Sequence, residues 1–204
     1  MKSEKKKFID LLVSSGCLKF GDFTLKSGVW SPFFLNLGNV TSGLQLQEMG
    51  DVLAGTIATL YPEVSVLFGP AYKGIPMVTA AACSLSAMGR EVEILYDRKE
   101  AKGHGEGGNF IGCEPDPNDR VVLIDDVYTS GGTKVAGVHK LRDTFEVEVQ
   151  GIVVAMDRRV EGVLVDPALP PLHSLVNMLD LVDFLADEKN PMSDSVLRYY
   201  KGES

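Results

Sequence analysis

The middle of the chain alternates short runs of β-branched and aliphatic residues with longer stretches in which apolar residues recur at helical spacing. The runs predict buried strands at 64–68, 92–96, 121–124 and 147–156, and helices are predicted at 74–88 and 132–142. Strands that alternate with helices form parallel sheets, because each crossover helix returns the chain to the same edge. We therefore predict an α/β fold in which a central parallel sheet is flanked by helices.

The segments on either side of this region are less regular. Residues 20–37 are predicted to form a bent pair of strands around Gly28 and Pro32. Further helices are predicted at 3–15, 43–60, 174–186 and 194–200. Because a chain of 204 residues can bury one sizeable core, we expect a single domain over residues 1–204.

The charge balance limits the kinds of partner this chain can bind. Its 28 acidic and 20 basic residues give a formal net charge of -8, whereas nucleic acids and membrane surfaces are bound through basic faces. The longest uncharged stretch, 27–47, is too rich in Gly, Ser, Asn, Gln and Pro to cross a bilayer. We therefore expect no nucleic-acid partner and no membrane association, and a bound anion must be met by a local basic cluster.

The cysteines predict a reducing compartment. Cys17, Cys83 and Cys113 are too few and too scattered for a disulfide framework or a Cys/His zinc pattern. A cytoplasmic location is the simplest interpretation.

Each predicted strand of the central region is followed by a charged or glycine-rich cluster. The clusters are 69–74, 97–99, 125–133 and 157–159. In an open parallel sheet, ligands bind beyond the carboxyl ends of the strands, which all lie at one edge. The four clusters are therefore predicted to form one site, since a solvated charge run has no reason to coincide with strand ends.

The cluster 125–133 is the most informative of the four. A buried strand leads to Asp125 and Asp126, and a loop of Thr, Ser and Gly follows at the start of a predicted helix, where backbone N–H groups and the helix dipole favour a phosphate. The spacing of a Walker A loop is absent. Because carboxylates repel phosphate, the two aspartates are expected to accept hydrogen bonds from sugar hydroxyls or to orient a magnesium-bound water. The alternative is an ordinary strand-to-helix turn capped by Asp126 or Thr129.

Residues 121–133 closely resemble the phosphoribosyl-pyrophosphate (PRPP) signature of the type I phosphoribosyltransferases. Residues 97–108 are similar to the mobile catalytic loop of the orotate phosphoribosyltransferases, and residues 20–36 are similar to the N-terminal hood of that family. The segments 68–76 and 155–158 match two further parts of the same family. The resemblance covers most of residues 8–160.

This resemblance implies the type I phosphoribosyltransferase fold, with a small hood built from about residues 1–40 and the C-terminal segment. The implied reaction transfers the phosphoribosyl group of PRPP to orotate and yields orotidine 5′-monophosphate and pyrophosphate in de novo pyrimidine (UMP) biosynthesis. It also implies Mg²⁺ held mainly by PRPP, with no direct protein ligand and a possible water bridge to Asp126. The family forms homodimers whose active sites are shared across the interface.

The resemblance also assigns roles to individual residues. Asp125 and Asp126 are implied to bind the ribose hydroxyls, and the segment after them is implied to bind the rest of PRPP. The implied PRPP contacts in that segment are Val127, Tyr128, Thr129, Ser130, Gly131, Gly132 and Thr133, and Tyr72 and Lys73 lie against PRPP from another strand end.

The loop after the second strand is implied to complete the site of the neighbouring subunit. It carries Arg98, Lys99, Lys102 and His104 within seven residues, interleaved with glycines that allow movement. Lys102 and His104 are implied to stabilise or protonate the leaving pyrophosphate. Lys26, placed between base and pyrophosphate, joins Arg98 and Lys99 in the implied catalytic and PRPP-binding set. The alternative interpretation of the loop is a solvated charge run.

For the base, Arg158 is implied to pair with the orotate carboxylate through its planar guanidinium. Phe33 and Phe34 are implied to wall the ring, and Thr129 is an additional implied contact. Without the resemblance, Arg158 could equally be a structural ion-pair partner of Asp157.

Two other functions compete with this prediction. A phosphoribosyltransferase for a purine base would share residues 125–133, but it has no need of the basic loop 98–106 or of Arg158 in these places. A PRPP-sensing regulator that binds RNA should have a basic surface, which the net charge of -8 disfavours.

Overall fold

The computed structural model describes residues 3–25, 28–98 and 109–203. Its central element is a six-stranded sheet with the strand order β5-β4-β3-β6-β7-β8. The strands are β3 Val66–Gly69, β4 Glu93–Asp97, β5 Phe110–Gly112, β6 Arg120–Tyr128, β7 Glu148–Asp157 and β8 Leu172–Asn177. Five strands are parallel, and only the pairing of β4 with β5 is antiparallel within the described sheet. The predicted α/β sheet is confirmed, with two edge strands that the sequence did not predict.

The strand β8 replaces the first turn of a predicted helix. Residues 174–186 were predicted to be helical, but the chain runs parallel to β7 as far as Asn177 before the helix starts. The Asn177 side chain accepts a hydrogen bond from the Asp180 N–H at 3.0 Å, and the Asp180 carboxylate accepts one from the Asn177 N–H at 2.9 Å. This capping box fixes the helix start at Met178.

Helices cover the two faces of the sheet unequally. They are α1 Ser3–Ser14, α2 Gly43–Leu60, α3 Gly74–Ala87, α4 Gly132–Phe145, α5 Met178–Asp187 and α6 Met192–Tyr200. Side chains alternate across β6, so Val122 and Ile124 join the core under α1, α2, α3 and α5, whereas Val121 and Leu123 join the core under α4. Helix α4 therefore packs on the opposite face from α3, and both begin at the carboxyl edge of the sheet.

A separate antiparallel hairpin consists of β1 Leu18–Thr24 and β2 Trp30–Leu35. The ring of Tyr199 in α6 packs edge-on against Phe33 at a centroid distance of 6.0 Å and against Trp30 at 6.2 Å. The N-terminal hairpin and the C-terminal helix thus contact each other.

None of the helices in the described ranges has the length and apolar character that crossing a membrane requires. The cysteines Cys17, Cys83 and Cys113 are all free thiols.

Candidate active site

Hydrogen bonds connect the segments that follow the parallel strands at the carboxyl edge of the sheet. The Ala71 N–H, after β3, donates to Asp97 Oδ1 at the end of β4 over 2.8 Å. The Arg158 N–H, after β7, donates to the Tyr128 carbonyl oxygen at the end of β6 over 2.9 Å. The structure therefore brings together the four clusters that the sequence placed at one edge.

Strand β6 is longer than predicted, and this changes where the two aspartates lie. Val127 pairs with Met156 and Tyr128 with Asp157, so the strand continues through Asp125 and Asp126 instead of ending at residue 124. The connecting loop shrinks to residues 129–131. Both carboxylates are consequently held on a rigid strand and not on the loop after it.

Asp125 and Asp126 face opposite sides of the sheet, and each is paired with a different lysine. Asp126 Oδ2 lies 2.6 Å from Lys73 Nζ, in the segment before α3, and the Lys73 side chain is 43% exposed. Asp125 Oδ2 lies 2.5 Å from Lys134 Nζ on α4, and both of these side chains are buried. Lys134 was not among the site residues predicted from the sequence. Its signal was a basic residue in the first turn of a helix, where the dipole disfavours positive charge.

The surroundings shift the pKa values of the two carboxyl groups in opposite directions. Burial raises the pKa of Asp125, and the ammonium group of Lys134 opposes this shift. Burial also pushes the pKa of Asp126 upward, but the hydrogen bond and charge of Lys73, together with the charge of Lys134, outweigh it and hold the pKa below its usual range. Asp126 therefore remains an acceptor-only carboxylate at neutral pH.

The loop before α4 forms an open helix N-terminus. Gly131 is the N-cap, adopts a left-handed conformation with φ of 81°, and makes no side-chain cap. The Lys134 and Val135 N–H groups both donate to the Gly131 oxygen over 2.9 Å, so the Gly132 and Thr133 N–H groups precede the first intrahelical bond and are available to an anion. Thr129, Ser130 and Thr133 are exposed around these groups and add hydroxyl donors. A Cβ at Gly131 would lie 2.5 Å from Tyr128 Oη, so glycine is required there.

Val127 and Tyr128 contribute to this segment differently. The Tyr128 ring is buried in the core under α4, and Val127 packs against the core on the other face. Any contact of these two residues with PRPP would therefore be through the backbone.

Two glycines that pack against each other shape the loop between β3 and α3. A Cβ at Gly74 would lie 2.6 Å from the Gly69 carbonyl carbon, and the Gly74 N–H donates to the Pro70 oxygen over 3.0 Å. The resulting tight loop presents Tyr72 and Lys73 outward, with Tyr72 68% exposed.

Arg158 lies beside the hairpin and does not pair with its neighbour Asp157. Its Nη2 donates to Ser31 Oγ over 3.2 Å, and its guanidinium carbon lies 4.5 Å from the centroid of the Phe33 ring. Asp157 pairs instead with Arg159, whose Nε and Nη2 both donate to that carboxylate. The alternative in which Arg158 is the ion-pair partner of Asp157 is therefore wrong. Arg158 Nε is buried and has no hydrogen-bond partner in the described part of the chain.

The two phenylalanines of β2 do not form one wall. Phe33 is fully buried beneath Arg158, whereas Phe34 is 40% exposed and its ring packs against Phe23 at 5.7 Å. Successive residues of a strand point to opposite sides, which explains the difference. The structure places the ring of Phe33, but not that of Phe34, against the Arg158 guanidinium.

The described part of the chain contains one of the five predicted catalytic residues, Arg98. Lys26, Lys99, Lys102 and His104 lie outside the described residues. Arg98 ends the described segment before them, and its N–H donates to the Asn109 oxygen over 2.8 Å. The two ends of the predicted catalytic loop are therefore joined at the end of β4.

The described residues contain no group of three or more His, Cys, Asp or Glu side chains that could hold a metal ion. The carboxylates of Asp125 and Asp126 are both engaged by lysines. Mg²⁺ usually keeps several waters and binds through substrate phosphates with one or two carboxylates. This donor set fits a magnesium ion brought by a phosphorylated ligand.

A search with family models finds none that matches the chain. A relative from Agathobacter rectalis, named orotate phosphoribosyltransferase, is 46% identical over 165 residues, which cover 79% of this chain and 73% of the relative. The orotate phosphoribosyltransferase structure from Francisella tularensis has a TM-score of 0.79 at 30% identity and covers 97% of this chain and 98% of that one. The UMP synthase structure from Leishmania donovani has a TM-score of 0.76 at 26% identity over 98% of this chain and 42% of that one. The chain therefore belongs to the orotate phosphoribosyltransferase family, enzymes that serve pyrimidine biosynthesis.

Proposed function

We propose that the carboxyl edge of the sheet binds PRPP and orotate together and transfers the phosphoribosyl group to the base. The observation that carries this proposal is the convergence of three recognition elements at one edge. These are the open N-terminus of α4 for a phosphate, the aspartate pair of β6 for sugar hydroxyls, and the guanidinium of Arg158 for a carboxylate.

Different residues of the proposed PRPP site bind different parts of the ligand. The helix N-terminus around Thr129 and Thr133 takes the 5′-phosphate, because its N–H groups and dipole favour an anion. Asp125 and Asp126 accept hydrogen bonds from the ribose hydroxyls. Lys73, already within 2.6 Å of Asp126, is exposed enough to turn toward the pyrophosphate when PRPP arrives.

Orotate occupies the side of the site nearest the hairpin. Ser31 and the Phe33 ring hold the guanidinium of Arg158, which leaves other N–H groups of its fork for the orotate carboxylate. Purine bases carry no carboxylate, so this arrangement favours orotate over them.

In the reaction, the N1 nitrogen of orotate forms a bond to the anomeric carbon of the ribose while the bond from that carbon to the pyrophosphate oxygen breaks. The leaving pyrophosphate takes the bonding electrons, and the proton of N1 is lost to a base or to solvent. Positioning of the two ligands and cations aimed at the leaving group lower the barrier. Lys26, Arg98, Lys99, Lys102 and His104 are proposed for that cationic role. When bound, Mg²⁺ supplies further charge neutralisation at the pyrophosphate.

We also propose a homodimer in which the basic loop completes the neighbouring site. An apolar groove of about 640 Å³ runs between α2 and α3 and is lined by Leu46, Ile75, Pro76 and Cys83, among others. Exposed apolar surface of this kind marks protein interfaces. Helix α3 begins directly after Lys73, so a subunit seated on the groove lies next to the PRPP site. The three free thiols support a reducing, cytoplasmic setting for this dimer.

The direct test supplies PRPP, magnesium and a panel of orotate, uracil, adenine and hypoxanthine. We expect orotate alone to be consumed, with release of pyrophosphate. In the same assay Arg158→Ala should raise the KM for orotate at least about tenfold, the value of one charge-assisted contact, with a small effect on the KM for PRPP. Arg142→Ala, an exposed arginine on α4, is the matched control. Consumption of another base, or equal changes in both KM values, would contradict the proposal.

A further inference from the structure

Lys134 is a buried lysine whose position is costly for the fold. Its side chain is 6% exposed, and the Asp125 side chain that it contacts is 12% exposed. Removing two charges from water costs several kcal/mol per ion, which their attraction only partly repays. Lys134 is also the third residue of α4, where the helix dipole disfavours a cation. A costly charge at the proposed PRPP site calls for a functional explanation.

Contacts with Lys134 and with the Asp126 backbone N–H fix the orientation of the Asp125 carboxylate. Asp125 Oδ2 lies 2.5 Å from Lys134 Nζ, and Asp125 Oδ1 accepts a hydrogen bond from the Asp126 N–H over 2.8 Å. With a separate donor on each oxygen, the carboxylate cannot rotate freely. Each oxygen still has a lone-pair direction for a further donor.

Lys134 also contacts its neighbour in the first turn of α4. Its Nζ lies 3.4 Å from Thr133 Oγ1, a hydroxyl at the open end of α4. One ammonium group therefore connects the carboxylate proposed for the ribose with the segment proposed for the 5′-phosphate, and so sets their separation.

The second aspartate has no such permanent partner. Lys73, which pairs with Asp126, is 43% exposed and lies on a loop. Lys134 is buried on the face of α4 that packs against the sheet. An exposed Lys73 can turn from Asp126 toward the pyrophosphate, whereas the buried Lys134 is held at Asp125 by its surroundings. The two adjacent carboxylates thus differ in their partners. The lysine that pairs with Asp126 can be exchanged for the ligand, whereas Lys134 keeps Asp125 in place before the ligand arrives.

We propose that Lys134 is a positioning residue that holds Asp125 in the orientation that accepts a ribose hydroxyl of PRPP and ties it to Thr133 in the first turn of α4. This inference rests on the proposed function, because Asp125 must contact PRPP for the positioning to matter. Lys134 itself does not touch the ligand and acts through Asp125.

A double-mutant cycle tests this role by measuring PRPP binding calorimetrically with wild type, Lys134→Met, Asp125→Asn and the double variant. Lys134→Met should weaken PRPP binding about tenfold, the effect of losing one hydrogen bond to a charged group. The double variant should bind no more weakly than Asp125→Asn alone, because Lys134 acts through that carboxylate. In steady-state kinetics, Lys134→Met should raise the KM for PRPP and change the KM for orotate by less than about twofold.

The controls separate positioning from stability. Arg142→Met removes a charge from an exposed position of the same helix and should leave PRPP binding unchanged. The free energy of unfolding is measured for every variant. Unchanged PRPP affinity of folded Lys134→Met, whatever its stability, would overturn the inference, and so would additive losses in the double variant, which indicate a direct contact.

Two further outcomes remain distinguishable. If Lys134→Met does not fold, Lys134→Gln keeps an amide donor for Asp125 without the charge and should bind PRPP nearly as well as wild type, whereas a folded Lys134→Gln that binds as weakly as Asp125→Asn would overturn the inference. If wild type fails to bind PRPP, or Asp125→Asn binds it normally, the proposed function or its ribose contact fails, and this inference fails with it. A loss confined to Lys134→Met and suppressed by Asp125→Asn supports it.

Discussion

Neighbouring residues in this site have different roles because side chains on a strand alternate. Asp125 faces a buried lysine on α4, and Asp126 faces an exposed lysine before α3. Phe33 lies beneath a guanidinium, whereas Phe34 lies on the outer side of the same hairpin. The residue types at these positions were evident from the sequence, but the side to which each one points depends on strand register.

Ser31 is the residue through which the hairpin orients Arg158. It is fully buried, its Oγ donates to the Phe33 oxygen over 2.6 Å, and it accepts from Arg158 Nη2 over 3.2 Å. Ser31→Ala should raise the KM for orotate several-fold, because it removes one hydrogen bond that contributes about 1 kcal/mol. The KM for PRPP should stay nearly unchanged. Steady-state kinetics with each substrate varied in turn measure both values.

The matched control for this prediction is Ser14→Ala, which removes an exposed hydroxyl on α1. A proportional rise in both KM values for Ser31→Ala would mean that the serine supports the hairpin as a whole and does not orient the arginine.

At the scale of elements, tight turns shaped by glycine place the binding groups. The Gly69–Gly74 contact closes the loop that carries Lys73, and Gly131 turns the chain from β6 into α4. Both turns join a buried strand to a helix on the same edge, so small changes in either one move a ligand-binding group.

Gly131→Ala should lower the free energy of unfolding by at least about 1 kcal/mol, because alanine is strained at positive φ and its Cβ would clash with the Tyr128 hydroxyl. Gly132→Ala is the matched control for stability. Gly132 follows Gly131 directly, is helical, and has no atom within 4 Å of an added Cβ. Gly132→Ala should raise the free energy of unfolding slightly. Denaturant unfolding of both variants checks the pair, and equal effects would contradict the conformational argument.

The elements that the sequence predicted correctly are those with strong local periodicity. Helix α2 and the four inner strands of the sheet have apolar runs that end at glycine or charged residues, so the local sequence is enough to predict them. The edge strand β5 has three residues and depends on pairing with β4, which no local pattern reveals. Strand β8 and the added length of β6 likewise depend on β7 as a partner.

The same reason explains what was missed in the site. The sequence could single out Asp125, Asp126 and Thr129 as candidate site residues, because their spacing resembles a known signature. Lys134 could not be singled out, since its role comes from the packing of α4 against β6. Ser31 and Arg158 are 127 residues apart and meet only in the folded chain.

At the scale of the whole molecule, the α2–α3 groove allows a chemical test of the proposed dimer. Cys83 is exposed and lines this groove, while Cys17 is buried and burial raises the pKa of the Cys113 thiol to about 11. At pH 8, iodoacetamide should therefore modify Cys83 first in any monomer, because it reacts with exposed thiolates. A dimer seated on the groove should protect Cys83.

Thr79→Arg places a charge in the same groove and should give a monomer whose Cys83 reacts several-fold faster than in wild type. Light scattering gives the oligomeric state, and peptide mass spectrometry gives the modified fraction of each cysteine. A dimeric wild type whose Cys83 reacts as fast as in Thr79→Arg would place the interface on another surface.

The proposed sharing of active sites makes a separate prediction about hybrid dimers. Lys102→Ala removes a proposed contribution of the basic loop, and Asp126→Asn removes a ribose contact, so each variant alone should be nearly inactive. If the loop completes the neighbouring site, each hybrid dimer has one site with both residues intact. Random exchange makes half of the dimers hybrid, so about a quarter of the wild-type activity should return. The control mixes wild type with a variant that carries both substitutions. If the loop crosses to the other subunit, each site of these hybrids contains one substituted residue, so no hybrid site is intact. Hybrids verified by differential tags but without recovered activity would show that each loop serves its own subunit.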